Sequence, residues 1–338
     1  MKKLNDLWKK GKEFLGVEYP IMAGAMSWIS NHQFVSAVSE AGGFACLAAG
    51  NMEPVNFEKE IDKTRETSDK PFAINLITIA PNYREHLEIA IAKKASHIVF
   101  AGSFPRSTEV KLAKQSGAKV MAFASNNSIA QRMIRSGVDG LMLEGSEAGG
   151  HIGHVSLTVL LQQVLFNVKD IPVFVAGGIA TGKMMAHLLL MGASGIQMGT
   201  RFILTDECRV NPKFKEVFLK ARARDAVATP AVSSELNVVA VRALKNKGMN
   251  EFSELQMELI PQIRNKEITK KDAQLRVEAF WMGALRKAVQ DGDVDRGSLM
   301  AGQSVGLVNK TETMKELYAE MISEAEQTIE EIYHNLSD

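Results

Sequence analysis

Residues 140–153 read Gly140-Leu141-Met142-Leu143-Glu144-Gly145-Ser146-Glu147-Ala148-Gly149-Gly150-His151-Ile152-Gly153, and the change of character inside them decides the fold. The apolar run at 140–143 predicts a short buried strand. It breaks at once into a segment nearly bare of side chains, in which one histidine stands. Gly149 and Gly150, ahead of the imidazole, open backbone dihedrals closed to other residues and let a flat ligand approach the main chain. The histidine therefore falls on the loop past a strand's end, which in a parallel α/β protein is where ligands bind. A glycine-rich turn carrying a surface histidine is the competing reading, and the flanking sequence decides between the two.

Outward from this stretch the same strand-then-helix unit recurs. Upstream, 19–26 is a strand ending in a small-residue loop before a helix at 31–41. Strands at 44–47, 72–77, 97–101 and 119–124 precede helices at 53–65, 83–94, 106–116 and 127–136. Downstream, a helix at 156–168 completes the histidine's own unit, a strand at 172–176 precedes a helix at 181–191, and 195–198 is an eighth strand. Eight such units form either a closed eight-stranded barrel, the (β/α)8 TIM barrel, or a doubly wound open sheet. The even, compact spacing favours the barrel. No dinucleotide fingerprint follows the first strand, Ile179 stands where the middle glycine of Gly177-Gly178-Ile179-Ala180-Thr181-Gly182 would belong, and Gln197 is no carboxylate for a ribose.

The expected architecture is thus an α/β TIM barrel over 1–210, completed by a returning loop at 296–310. A charged, helix-favouring appendage without strand alternation occupies 211–295, with helices at 252–264 and 270–289. A C-terminal amphipathic helix within 311–338 presents Met314, Leu317, Met321, Ile322 and Ile329 on one face. That helix packs on the domain or makes a subunit contact, as in a homodimer.

Composition narrows the function classes. A chain of 338 residues with 46% apolar content, 23% charged residues and a net charge of +1 is an ordinary globular protein. It lacks the basic excess that nucleic acid or an anionic membrane surface would favour. Two distant cysteines, Cys46 and Cys208, make no disulfide framework and fit a reducing cytoplasm. No signal-peptide core or membrane-length apolar run is read, so the expected location is cytoplasmic. Lys213, Lys215, Lys220, Arg222 and Arg224 form either a docking face for an acidic partner or a solvated helical surface, the commoner meaning of such a run.

The chemistry gathers at strand ends. The seventh and eighth strands end in Ala176-Gly177-Gly178-Ile179 and Met198-Gly199-Thr200-Arg201, the two loops that usually grip phosphate in barrels. Glycines let successive amides converge on phosphate oxygens, a helix N-terminus adds a favourable dipole, and Thr200 can donate a hydroxyl. Together with the loop Ala23-Gly24-Ala25-Met26, Asn75 in the third strand and a lone His151, the layout suggests flavin mononucleotide (FMN). Its ring would lie against the backbone around Gly24 and Met26, with Asn75 on the ring edge or the substrate; Asn75 as a satisfied polar residue near a strand end is the alternative. His151 would carry the proton. Glu147, His151 and His154 do not read as a metal site, because the intervening glycines forbid the helix their spacing would need.

Six stretches carry a resemblance to a known family: Pro20 to Met26, Pro71 to Leu76, Glu144 to Gly153, Ala176 to Ile179, Gln197 to Phe202, and Gly297-Ser298-Leu299-Met300-Ala301-Gly302-Gln303. In order from Tyr19 to Val308 they resemble the nitronate monooxygenase family, formerly 2-nitropropane dioxygenase, which also holds the FMN-dependent enoyl-ACP reductase II enzymes. The resemblance implies an FMN-containing barrel, with His151 matching the catalytic histidine and Asn75, Gly178, Gly199 and Thr200 the flavin-binding positions. It also implies that Ser298, Met300, Gly302 and Gln303 return to the flavin, and it adds Glu144, Gly149, Gly150 and Gly177 to the cofactor-binding set. Many members carry glutamine just before the first-loop glycine or alanine; Ala23 stands there, so one expected polar contact is missing.

The first expectation is nitronate oxidation, in which His151 takes or holds the substrate proton and dioxygen reoxidises the flavin, giving a carbonyl compound and nitrite. The second is an enoyl-ACP reductase, reduced by NAD(P)H, whose basic appendage meets acyl carrier protein. A flavin-binding sensor without turnover is the third.

Overall fold

In the computed structural model, which describes residues 2–229, 232–236 and 238–337, side chains alternate between two faces of every barrel strand. β1 (Ile21–Ala23), β2 (Phe44–Ala48), β3 (Ala73–Ile77), β4 (His97–Ala101), β5 (Lys119–Ala124) and β6 (Gly140–Glu144) run parallel. β8 (Val173–Ala176) and β9 (Gly195–Met198) continue them, and β9 pairs back to β1 to close the expected TIM barrel. The two-residue β7 (Gly150–His151) lies outside the barrel. Met22, Phe44, Cys46, Ala73, Val99, Met121, Met142 and Phe174 fill the interior. Their neighbours Leu47, Ile74, Ile98, Val120, Leu141, Val175 and Ile196 belong to the separate cluster between sheet and helices, the period-two division a half-buried strand requires.

α3 (His32–Glu40), α4 (Pro54–Thr67), α5 (Tyr83–Ala92), α6 (Ser107–Gln115), α7 (Asn127–Arg135), α8 (Leu157–Leu160) with its π-helical continuation, and α9 (Gly182–Leu190) make the outer ring. Asn31, Asn126 and Thr181 cap α3, α7 and α9 by accepting backbone amides, each cap worth about 1 kcal/mol. Ahead of the barrel, α1 (Lys2–Leu7) and α2 (Lys9–Leu15) close its N-terminal end: Phe14 and Leu15 enter the interior cluster, and His97 Nε2 lies 3.0 Å from Phe14 O. Burial pushes the His97 imidazole down to about 4. The barrel is therefore open only at the strands' C-terminal ends.

The appendage contains α10 (Pro212–Lys220), β10 (Ala226–Ala228), β11 (Val241–Leu244), α11 (Lys247–Arg264) and α12 (Lys270–Arg286). The two strands differ from the all-helical reading: β10 and β11 pair antiparallel, and β7 adds to β11. Phe252, Leu259, Ala273, Val277 and Trp281 give the appendage a small core of its own. Pro230, Ala231 and Asn237 within it, and Met1 and Asp338 at the chain ends, lie outside the described residues.

α13 (Met314–Ser337) packs along α9 and α1. Tyr318 Oη donates to Ile21 O at 3.0 Å, and Glu324 accepts the Gly182 amide at 2.7 Å. Cys46 and Cys208 are buried free thiols, each pushed up to about 12 by burial. Among the described residues no helix is long and apolar enough to cross a membrane.

Candidate active site

The open end of the barrel holds a cleft of about 390 Å³, within the ~300–1,000 Å³ of ordinary small-molecule sites. Gly24, Ala25 and Met26 beyond β1, Asn75 of β3 and Glu144 ending β6 line it. So do Gly149, Gly150, His151, Gly177, Gly178, Gly199, Thr200, Met300 and Gly302. Three residues selected from sequence do not. Ala23 is fully buried and packs outward between sheet and helices, because it sits one residue before the strand gives way to the loop. Ser298 lies beneath α12, its amide donating to Ala284 O at 2.9 Å. The Gln303 amide donates to Glu147 O at 2.9 Å, so this residue fastens the histidine loop to the returning segment.

Gly177 and Gly178 have φ of +94° and +73°, left-handed values that favour glycine. A Cβ on Gly177 would also stand 2.8 Å from Gly145 O. Across from them, Thr200 Oγ1 accepts the Gly302 amide at 2.9 Å, which leaves its hydroxyl proton free to donate.

Gln197 is the residue sequence reasoning passed over. It is 7% exposed, lines the cleft, and among the described residues its Oε1 has no hydrogen-bond partner. A Cβ added to Gly24 would lie 3.1 Å from its Nε2, so the glutamine amide occupies the neighbourhood where Ala23 offers no polar group. A polar residue inside the apolar strand Gly195-Ile196-Gln197-Met198 was the available signal. A buried amide oxygen without a partner among the described residues, two left-handed glycines and a hydroxyl able to donate around one concave surface suit a flat phosphorylated ligand, which needs polar contacts at its edge and backbone donors at its phosphate.

The histidine segment is pinned from several sides. Glu147 accepts the Leu157 amide at 3.0 and 3.2 Å, and Arg242 donates to Ser146 O at 2.9 Å and Ala226 O at 2.8 Å. A Cβ on Gly149 would meet the Ala301 carbonyl carbon and the Gly302 nitrogen at 2.5 Å, so the returning segment lies directly on it. His151 itself is not on a free loop: it pairs with Val241 of β11. The sequence signal for that strand was the β-branched run Val238-Val239-Ala240-Val241. The imidazole Nε2 stands 3.5 Å from Glu278 Oε2. Glu144 also lines the cleft, at the end of β6, and burial pushes its carboxyl up to about 8. Of the basic appendage residues, Lys215 donates to Thr205 O at 2.6 Å, while Lys213, Lys220, Arg222 and Arg224 are exposed.

The nitronate monooxygenase family model matches residues 9–89 and 77–324. A (3aS,4S,5R,7aS)-5-hydroxy-7a-methyl-1-oxo-octahydro-1H-indene-4-carboxyl-CoA dehydrogenase of Rhodococcus jostii (strain RHA1) is 28% identical, with 94% of this chain and 96% of that protein covered. A probable nitronate monooxygenase of Staphylococcus aureus (strain MRSA252) is 24% identical, over 88% and 92% of the two chains. Among solved structures, FabK from Thermotoga maritima superposes with a TM-score of 0.84 at 34% identity, covering 96% of this chain and 98% of that one. A nitroalkane oxidase from Streptomyces ansochromogenes shares the fold with a TM-score of 0.79 at 23% identity, over 97% and 99%. The match runs through the barrel, the histidine loop and the returning segment alike, and the chain belongs to the nitronate monooxygenase family of oxidoreductases.

Proposed function

We propose that the protein is an FMN-dependent oxidoreductase that reduces the double bond of an enoyl thioester, with NADH or NADPH as the source of hydride. The observation that carries this reading is the apolar side of the cleft. Ile77 and Ile79 at and beyond the end of β3, Phe104 beyond β4, Phe123 of β5 and Ile129 of α7 line it. In barrel order these elements stand across from β8 and β9. A cofactor whose phosphate rests on Gly178, Gly199 and Thr200 leaves that far wall to the substrate. Each methylene buried there contributes about 0.8 kcal/mol, a gain open to an acyl chain and closed to a small nitronate. The likeness to FabK and the CoA thioester in the name of the Rhodococcus relative support the same substrate class.

Bound FMN would supply the hydride chemistry. The amides around Gly177, Gly178 and Gly199 and the Thr200 hydroxyl would hold its phosphate, and Gln197 and Asn75 its polar ring edge. His151 would hold the proton exchanged with substrate carbon. The carrier of the thioester would be coenzyme A or acyl carrier protein. The nitronate chemistry of the family name is the second reading. It employs the same histidine and cofactor with dioxygen as oxidant, and it leaves the apolar wall unused.

Anaerobic stopped-flow mixing of the flavin-loaded protein with NADH, NADPH and an alkyl nitronate separates them. Rapid bleaching by a nicotinamide, followed by recolouring with crotonyl-CoA, is the expected result. Bleaching by nitronate alone would transfer the assignment to nitronate oxidation, and a protein that takes up no FMN would end both.

A further inference from the structure

The side of the histidine loop that faces the appendage carries a contact no motif anticipates. Glu278 of α12 places Oε2 3.5 Å from His151 Nε2, and both residues line the cleft. The two arrive from different parts of the fold. His151 is held on β7 by β11, through the pairing with Val241. Glu278 rides on a helix that is fixed twice. Val277 and Trp281 on either side of it are buried in the appendage core. Beyond them, the Trp28 indole donates to Met282 O at 3.2 Å, from a backbone held at φ 68°, a conformation a non-glycine residue keeps only where its surroundings enforce it.

The other ionisable groups near the imidazole have different occupations. Arg242 on β11 directs its guanidinium to Ser146 O and Ala226 O. Glu147 accepts the Leu157 amide, Glu144 ends β6 on the barrel side of the cleft, and His154 is exposed. Among the described residues Glu278 is the carboxylate at ion-pair distance from His151.

We infer that Glu278 is a positioning residue for His151: its carboxylate, 3.5 Å from Nε2 and short of hydrogen-bond geometry here, favours the proton on that nitrogen through its charge and leaves Nδ1 to exchange a proton with substrate. The inference rests on the reading of His151 as proton carrier. A carboxylate beside one imidazole nitrogen favours the tautomer protonated there and presents the other nitrogen as the free acceptor, so the base meets its substrate already in the reactive form. Both side chains keep about a third of their surface exposed, 35% for His151 and 29% for Glu278. The pair therefore acts by orientation, since partly solvated ion pairs add little stability.

The test uses flavin-loaded enzyme carrying Glu278→Leu, Glu278→Gln, His151→Ala, or the Leu and Ala changes together, with flavin content and thermal unfolding compared first. Glu278→Leu is expected to lower kcat by roughly ten- to a hundredfold, the scale seen when a partner that orients a functional histidine is removed. The loss should fall on kcat more than on KM, the split expected when an orienting group rather than a binding contact is removed. Glu278→Gln keeps an oxygen acceptor and should recover part of the loss. In the His151→Ala background, Glu278→Leu should change kcat by less than about twofold, the non-additivity of two groups acting through one another. Equal losses in both backgrounds, or an unchanged kcat in Glu278→Leu, overturn the inference. Imidazole nitrogen shifts of nitrogen-15 histidine-labelled enzyme give a readout apart from turnover: the Nε2–H tautomer in the parent and a mixture in Glu278→Leu. Identical shifts overturn the inference. Full turnover in His151→Ala would instead defeat the proton-carrier reading, while the nitrogen shifts still decide the contact.

Discussion

The amide of Gly302 donates to Thr200 Oγ1 across 2.9 Å, joining a segment that re-enters after the appendage to the loop that follows the last barrel strand. The bond is buried, so removing the acceptor strands an N–H without water to replace it. Thr200→Val is expected to cost about 1–3 kcal/mol at this joint and to weaken FMN binding by tenfold or more, on the scale of about 1.4 kcal/mol per decade. Thr200→Ser should bind nearly as the parent does. Fluorescence titration of apoprotein with FMN measures both, and equal affinity of the Val and parent forms would remove this joint from the cofactor site.

For His151→Ala we expect FMN to stay bound while turnover falls by roughly two or more powers of ten, the contribution of a positioned acid or base. Steady-state rates on flavin-matched samples decide it; unchanged rates would take the histidine out of the mechanism.

Gly178 lines the cleft at φ +73°, and a Cβ there would approach Glu147 Cβ to 3.3 Å. Gly178→Leu should therefore purify colourless, through both backbone strain and a filled phosphate cradle. A fully yellow preparation would contradict the cradle.

Glu144 gives a pH signature. Its carboxyl is raised from 4.5 to about 8 by burial, so over that window the unfolded chain releases a proton that the folded protein keeps. Stability from this group is full below the ordinary carboxylate range and declines as pH rises towards about 8. Glu144→Gln lacks that decline, so the difference in Tm between parent and variant should change steadily across the window. A pH-independent difference would refute the raised carboxyl.

The barrel was legible because its strands are short and apolar and alternate with helices, some of them announced by a capping residue, as Asn126 at α7 shows. These are local properties. The site was legible where glycine or histidine stands in a strand-end loop, as at Gly178 and His151. What escaped depends on pairing over long separations. β11 is four residues long and gains its meaning only by meeting Gly150 and His151. Glu278 reads as one more surface carboxylate on a charged helix until α12 is folded over the cleft. Gln197 stood out as a polar residue in an apolar strand, but its neighbours do not state that its amide will face Gly24 across the cleft.

The hydroxyl of Tyr318 sits on the carbonyl of Ile21, and a Cβ on Gly43 would be 1.8 Å from that oxygen. The seam between the first two strands is thus shaped for a side chain made only after every barrel strand. A nascent chain with all eight strands already made still shows that seam bare, along with the surface of α9 that α13 will cover. Exposure to aggregation and to chaperones should therefore persist until α13 is made, and a chain released before residue 314 would carry the eight strands with an open apolar flank.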